Sequence, residues 1–267
     1  MDIWNIVILA LVQGITEFLP ISSSAHLVLL PKLLDIEDQG LAFDVALHVG
    51  SLGAVLWYFR HDLRPLFRAW WLSMRTRQLD AESRLVWGVG LATFPVLLVG
   101  AVVTLGDFEG FLRSMWLIAV ANLVFAGWLW WADYYARQSR NEYSLSFYDM
   151  VLIGLAQAVA IVPGTSRSGI TITVALLLGL QRTAAARFSF LLSIPVIIVA
   201  GAGESAILWT KSIPPVNWAA LGLGALLSGI SAYICIYLLI RLLERMSLLP
   251  FVIYRVVLGV ILLLWLV

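Results

Sequence analysis

Charged residues are scarce in this chain: Asp, Glu, Lys and Arg make up 12% of its 267 residues, while 61% are hydrophobic and the mean hydropathy is +0.95. That excludes an ordinary soluble domain, about a quarter of whose residues carry charge. A basic excess is missing too. The formal net charge is +1, too little to replace counterions on a phosphate backbone, so no nucleic-acid partner is expected. Cysteine is nearly absent. Cys235 is the single one and sits in an apolar run, which rules out a disulfide framework or a thiolate metal cluster within the chain and leaves it a packing role. Met1-Asp2-Ile3-Trp4 lacks the basic start of a cleavable leader, so the first apolar stretch is expected to belong to the working protein. No long polar segment offers a separate soluble domain, and residues 1–267 read as one integral membrane domain.

Six apolar runs are present, near 41–60, 84–105, 112–132, 187–208, 217–240 and 250–267. Each approaches the roughly 20 helical residues needed to cross about 30 Å of hydrocarbon. Two further regions, 3–34 and 147–180, are apolar but broken centrally by Leu19-Pro20-Ile21-Ser22-Ser23-Ser24 and by Val162-Pro163-Gly164-Thr165-Ser166-Arg167-Ser168. Irregular backbone survives at membrane depth only when buried in protein or lining a wet cavity, so both are predicted to be re-entrant helix–loop–helix hairpins with working loops.

The halves resemble each other. Gln13 and Gln157, like Ser22 and Ser166, stand 144 residues apart, and Phe43 and Phe188 stand 145 apart. The predicted fold is therefore an all-α polytopic membrane protein with an inverted-topology repeat. Each half holds one re-entrant hairpin plus three transmembrane helices. Repeat one covers about 1–132, a cytoplasmic connection 133–146, and repeat two about 147–267. Three spans per half is odd, so the second half enters upside down. Charge gives an independent check. Arg60, Arg64, Arg68, Arg75, Arg77, Arg84, Arg137, Arg140, Arg182, Arg187, Arg241, Arg245 and Arg255 fall on one predicted side. Lys32, Arg113 and Lys211 fall on the other with Asp35, Glu37, Asp38, Asp107 and Glu109. The arginine-rich side is read as cytoplasmic.

In the first hairpin Gln13 and Glu17, at i and i+4, share a helical face, Pro20 ends the helix, and Ser22, Ser23, Ser24 and His26 follow. A carboxylate, a row of hydroxyls and an imidazole can hold a cation, present a nucleophile and move a proton. In the second, Gly164 permits close backbone approach, Arg167 offers a forked cation for phosphate oxygens, and Ser166, Ser168 and Thr171 add hydroxyls at a helix start. Blander roles compete. Hydroxyls in membrane helices commonly bond their own backbone, the default for Ser24, Thr171, Ser193 and Ser228. Glu17 and Arg167 read alternatively as a buried ion pair. His48 and Asp44 are expected to support the site from behind, and Glu204 to be solvated.

The strings Gln13-Gly-Ile-Thr-Glu17-Phe-Leu-Pro20-Ile-Ser22-Ser23-Ser24-Ala-His26 and Pro163-Gly164-Thr-Ser166-Arg167-Ser168-Gly169-Ile-Thr171 strongly resemble the two signature motifs of the undecaprenyl-diphosphate phosphatase family, the bacitracin-resistance membrane phosphatases. The resemblance implies hydrolysis of undecaprenyl diphosphate at the outer face of the bacterial inner membrane, recycling the lipid carrier for peptidoglycan synthesis, with a divalent cation, Mg or Ca. It makes Glu17, Ser23, His26 and Arg167 the catalytic candidates and Gln13, Ser22, Gly164, Ser166, Ser168 and Thr171 the substrate-binding ones, with Glu17 on the cation. Ser23 and His26 compete for the role of nucleophile. Gln13 stands where some members carry Glu, and Ala25 where some carry Gly, which leaves one carboxylate at this site. The partners implied are a polyprenyl diphosphate and membrane lipid; a homo-oligomer is compatible with the sequence. The rival reading is a lipid or ion transporter or flippase built on the same inverted-repeat hairpins.

Overall fold

The structure is a computed structural model and describes residues 2–34, 40–106, 114–210 and 217–265. The predicted outer-side charges Asp35, Glu37, Asp38, Asp107, Glu109, Arg113 and Lys211 lie outside the described residues, as does the side chain of Lys32. The described residues contain eleven α-helices and no strand. In chain order these are α1 (Ile3–Phe18), α2 (Ser23–Leu34), α3 (Leu41–Tyr58), α4 (Arg60–Thr76), α5 (Ala81–Leu105), α6 (Met115–Tyr135), α7 (Phe147–Ala158), α8 (Arg167–Leu177), α9 (Arg182–Thr210), α10 (Trp218–Leu243) and α11 (Leu249–Trp265).

Five of them, α3, α5, α6, α9 and α10, are long and apolar enough to cross a membrane, as a polytopic membrane protein requires. The sixth predicted span is the shorter helix α11, whose 17 residues reach about 25 Å at 1.5 Å per residue. The broken regions behave as their prolines and glycines dictate. α1 stops at Phe18, with Leu19 extended before Pro20, and α7 gives way to a short 3₁₀ turn at Val159–Ile161 ahead of Pro163 and Gly164. The four helices flanking these breaks have 16, 12, 12 and 11 residues, each about 24 Å or less.

α4 is the element the sequence reading missed. The arginine-bearing stretch from Arg60 to Arg84 reads as a loop, yet Leu63, Leu66, Trp70 and Ser73 recur at helical spacing and face inward, Leu66 and Ser73 fully so. Asp80 then opens α5 through a capping box: its carboxylate accepts from Ser83 N–H at 2.7 Å, and Asp80 N–H donates to the Ser83 hydroxyl at 3.0 Å. The hydroxyl and amide of Ser83 hold the exposed Asp80 carboxyl below its ordinary range.

Small residues set the helix contacts. Gly14 of α1 lies where a Cβ would collide with Ser231 and the Ser228 carbonyl of α10, and Gly154 of α7 where one would collide with Ala92 of α5, so the helix before each break touches a long helix at backbone distance. At the arginine-rich end, Arg187 joins Glu142 at 2.7 Å and Asp62 at 3.0 Å, while Arg182 meets Asp133, whose other oxygen accepts from Leu248 N–H at 2.9 Å. A core that includes Phe18, Phe59, Phe188 and Phe190 fills the bundle, with Phe18 and Phe190 edge to face at 5.2 Å.

Candidate active site

The two broken loops share a local design. Ser22 and Ser166 have positive φ angles of 73° and 70°, the only such non-glycine positions among the described residues besides Arg77 and Gln138. Each serine caps the helix that follows: Ser22 Oγ accepts from Ala25 N–H at 3.4 Å, and Ser166 Oγ from Gly169 N–H at 3.1 Å. Holding a side-chain-bearing residue there costs on the order of 1–3 kcal/mol, strain that surrounding contacts must offset and that typically marks functional loops.

The loops meet. Arg167 Nη2 donates to Glu17 Oε1 at 3.0 Å, and Ser168 Oγ donates to the Leu19 carbonyl at 2.8 Å. The largest part of the junction comes from Arg255, which the sequence analysis assigns to the arginine-rich side. That assignment is overturned: Arg255 is 0% exposed and its fork lies between the loop tips. Nη1 reaches the Pro20 carbonyl at 3.4 Å, Nη2 the Gly164 and Thr165 carbonyls at 2.8 and 2.9 Å, and Nε the Asn122 side chain at 2.9 Å. Buried arginine is tolerated because carbonyl dipoles replace its hydration. Gly169 leaves room for it, since a Cβ there would stand 2.8 Å from Nη1. The sequence signal was an isolated arginine inside an apolar run, which belongs to the bundle interior by default.

Glu17 is buried among donors that leave Oε1 with a single hydrogen-bond partner. Besides Arg167 on Oε1, its Oε2 accepts from Gln13 Nε2 and Ser23 Oγ, each at 2.9 Å, and faces His48 Nε2 at 3.7 Å. A cavity of about 200 Å³ opens onto this cluster, lined by Glu17, Ser22, Ser23, Ser24, His48, Ser166, Arg167 and, from α9, Val196, Ile197, Ala200, Gly201 and Glu204. Ser24 is thus an exposed cavity hydroxyl, not a packing one, and Glu204 and His48 face the same space as Glu17.

The remaining candidates sit behind the cavity wall. His26 is buried with both ring nitrogens engaged. Nδ1–H donates to the Ser22 carbonyl at 2.7 Å, which leaves Nε2 to accept from the Tyr254 hydroxyl at 2.5 Å under a near-parallel ring. Its lone pair is occupied. His48 is the imidazole that lines the cavity instead; its Nδ1–H donates to the Asp44 carbonyl at 2.8 Å, turning Nε2 toward Glu17. Gly164 approaches the Ile118 backbone of α6, not the cavity. Ser168 ties the loops together. Thr171 spends its hydroxyl on the Arg167 and Ser168 carbonyls and on Ser189 Oγ at 2.7 Å. Gln13 supports Glu17 while its own Oε1 stays unpartnered. Sequence spacing found the polar residues but could not tell which ones face the void.

A divalent cation finds no protein cage: among the described residues no three His, Cys, Asp or Glu gather around one point. The donor set does suit a magnesium-type ion, which keeps several waters and needs one or two carboxylates plus substrate phosphate oxygens; Glu17 supplies one of these.

Comparisons agree with the motifs. The family model described as "Bacitracin resistance protein BacA" matches residues 6–261. The chain is 52% identical over 266 residues, 98% of both chains, to "Undecaprenyl-diphosphatase 2" of Stutzerimonas stutzeri (strain A1501). It is 52% identical over 263 residues, again 98% of both, to "Undecaprenyl-diphosphatase" of Thioalkalivibrio sulfidiphilus (strain HL-EbGR7), and 53% identical over 262 residues, 98% of both, to that of Nitrosococcus oceani.

Proposed function

The chain belongs to the bacitracin resistance protein BacA family, and from that premise we propose that it hydrolyses undecaprenyl diphosphate to undecaprenyl phosphate and inorganic phosphate, with Ser23 as nucleophile and Glu17 as its base. The observation that carries the residue assignment is the Ser23 Oγ to Glu17 Oε2 hydrogen bond of 2.9 Å on the wall of a cavity that Arg167 also faces.

Cleaving a phosphoanhydride demands an in-line nucleophile and neutralised phosphoryl oxygens. As Ser23 Oγ bonds to the terminal phosphorus, its proton passes to Glu17, the bridging P–O bond breaks, and Glu17 hands the proton to the departing lipid monophosphate. Water then attacks the phosphoserine, giving a proton to Glu17 as the Ser23–phosphorus bond breaks, and Glu17 returns that proton to Ser23 Oγ as inorganic phosphate leaves. Arg167, whose Nη2 rests on Glu17 beside the cavity, provides the fork for the phosphoryl oxygens, and Ser22, Ser24 and Ser166 add hydroxyls. His26 positions the Ser22 carbonyl and hence the loop. A divalent cation on Glu17 and the diphosphate would add further charge neutralisation.

The inverted repeat is part of the same reading. It is supported by the matched serine caps 144 residues apart, by Gln13 and Gln157 buried in α1 and α7, and by the exchange of partners, α1 resting on α10 as α7 rests on α5. Two re-entrant hairpins entering from opposite sides would bring such loops together. The protein would then lie in the bacterial inner membrane with the cavity toward the periplasm.

The test is phosphate release from a prenyl diphosphate by the purified protein in detergent. Ser23→Ala and Glu17→Gln should each lose it by orders of magnitude while His26→Gln keeps a measurable fraction. A fully active Ser23→Ala would transfer the nucleophile's role elsewhere.

A further inference from the structure

A second void, of about 480 Å³, lies on the flank of the bundle between α4, α5 and α9 and is lined wholly by apolar and tryptophan side chains, among them Leu66, Trp70, Trp87, Gly90 and Ile194. Its rim is aromatic: Trp70 stands 5.5 Å from Phe67 and 5.9 Å from Trp87, whose indole N–H donates to Ser73 Oγ at 3.1 Å. Tryptophan rings with one polar anchor are characteristic of the boundary between hydrocarbon and headgroups.

The helix that walls this groove carries a row of cations. On α4, Arg60, Arg64 and Arg68 follow at successive turns, and Arg75 lies two turns beyond Arg68 on the same strip, beside the face that bears Leu63, Leu66, Phe67 and Trp70. Arg60 is stacked over Trp57 and Arg75 over Trp71. Arg64 and Arg68 are exposed and form no ion pair among the described residues. The one acidic residue of α4, Asp62, is committed to Arg187 at 3.0 Å. A short helix with an apolar side over a groove and an arginine strip next to it has the form of an element lying in the membrane interface.

We propose that this groove and the Arg64–Arg68 strip form a site for an anionic phospholipid of the leaflet on the arginine-rich side. An acyl chain enters the groove past the Phe67–Trp70–Trp87 rim, and the headgroup phosphate is held by the two guanidiniums, which match phosphate oxygens as a fork. Charge decides the occupant. A bare hydrocarbon tail reaching over from the catalytic cavity would fill the groove but gain nothing from a cationic strip, whereas a phosphodiester gains from both.

Delipidated protein in detergent is titrated with phosphatidylglycerol or with phosphatidylcholine of the same chains, and bound lipid is counted by native mass spectrometry. One phosphatidylglycerol should be retained with about tenfold preference over phosphatidylcholine, roughly 1.4 kcal/mol. The double variant Arg64→Gln with Arg68→Gln should erase the preference. Gly90→Phe should weaken retention of phosphatidylglycerol without disturbing the fold, because a Cβ at Gly90 meets nothing within 4 Å and the added ring would occupy the groove. Turnover of a short-chain prenyl diphosphate by all three proteins should be unchanged. Equal retention of both lipids, or a preference that survives in the double variant, would overturn the proposal. So would a Gly90→Phe protein that keeps phosphatidylglycerol but shows a raised KM for long-chain prenyl diphosphate, since the groove would then hold the substrate's tail.

Discussion

At the scale of single residues, two buried guanidiniums do different work. Arg167 is paired with one carboxylate on the cavity wall, whereas Arg255 bonds only to neutral acceptors between the loops. Arg167→Lys keeps the charge but loses the fork, so phosphate release should fall by orders of magnitude while thermal unfolding in detergent moves little. Removing one member of the buried pair costs about 3–5 kcal/mol, and removing both restores much of that. The double variant Arg167→Met with Glu17→Gln should therefore unfold close to the parent temperature yet stay inactive; an active double variant would refute both catalytic roles. Arg255→Met should behave in the opposite way. It orphans three carbonyls at about 1–3 kcal/mol each, so the unfolding temperature should drop sharply, with loss of activity following from it. Unaltered unfolding of Arg255→Met would show that the loops are held by something else. Both arginines stand out in the sequence as cations in apolar surroundings. Arg167 lies inside its own motif and meets the Glu17 motif directly, while Arg255 lies some 90 residues from the carbonyls of Gly164 and Thr165.

At the scale of elements, the broken segments depend on how closely the helices before the breaks, α1 and α7, approach the long ones. Gly154→Val would drive a side chain into the Ala92 backbone, and Gly14→Val into Ser231 and the Ser228 carbonyl, whereas Gly53 has open space around an added Cβ. The expected order of folded yield in detergent, measured by size-exclusion chromatography, is Gly53→Ala near the parent and both valine variants far below it. Equal yields would mean that α1 and α7 dock more loosely than these contacts indicate. Helix breaks at Pro20 and Pro163 were legible because proline removes a donor and restricts its predecessor. The positive φ of Ser22 and Ser166 was not, since serine rarely adopts it and nothing in the local sequence demands it. The amphipathic α4 was hidden behind its arginines, although its apolar spacing was there to be counted.

At the scale of the whole molecule, orientation can be tested with one added thiol at a time. In a Cys235→Ser background, Gln78→Cys, between α4 and α5, should react only with a reagent on the cytoplasmic side. Leu105→Cys, at the other end of α5 and 89% exposed, should react only from outside; labelling with the sides reversed would sink the proposed topology. The sequence by itself determined the solvent of this protein, because hydropathy over some 20 residues is a sum that needs no partner. It also determined where five helices long and apolar enough to cross a membrane lie, and the two broken segments with the family motifs within them. Tertiary structure decided which polar residues share a void. Glu17, Ser23, His48 and Arg167 line one cavity, while His26, Ser168 and Thr171, equally prominent in the sequence, are spent on holding it together. The reason is physical. A helix fixes neighbours three and four residues away, but which face meets a distant loop depends on packing between segments as far apart as Glu17 and Arg167, and no local pattern encodes that.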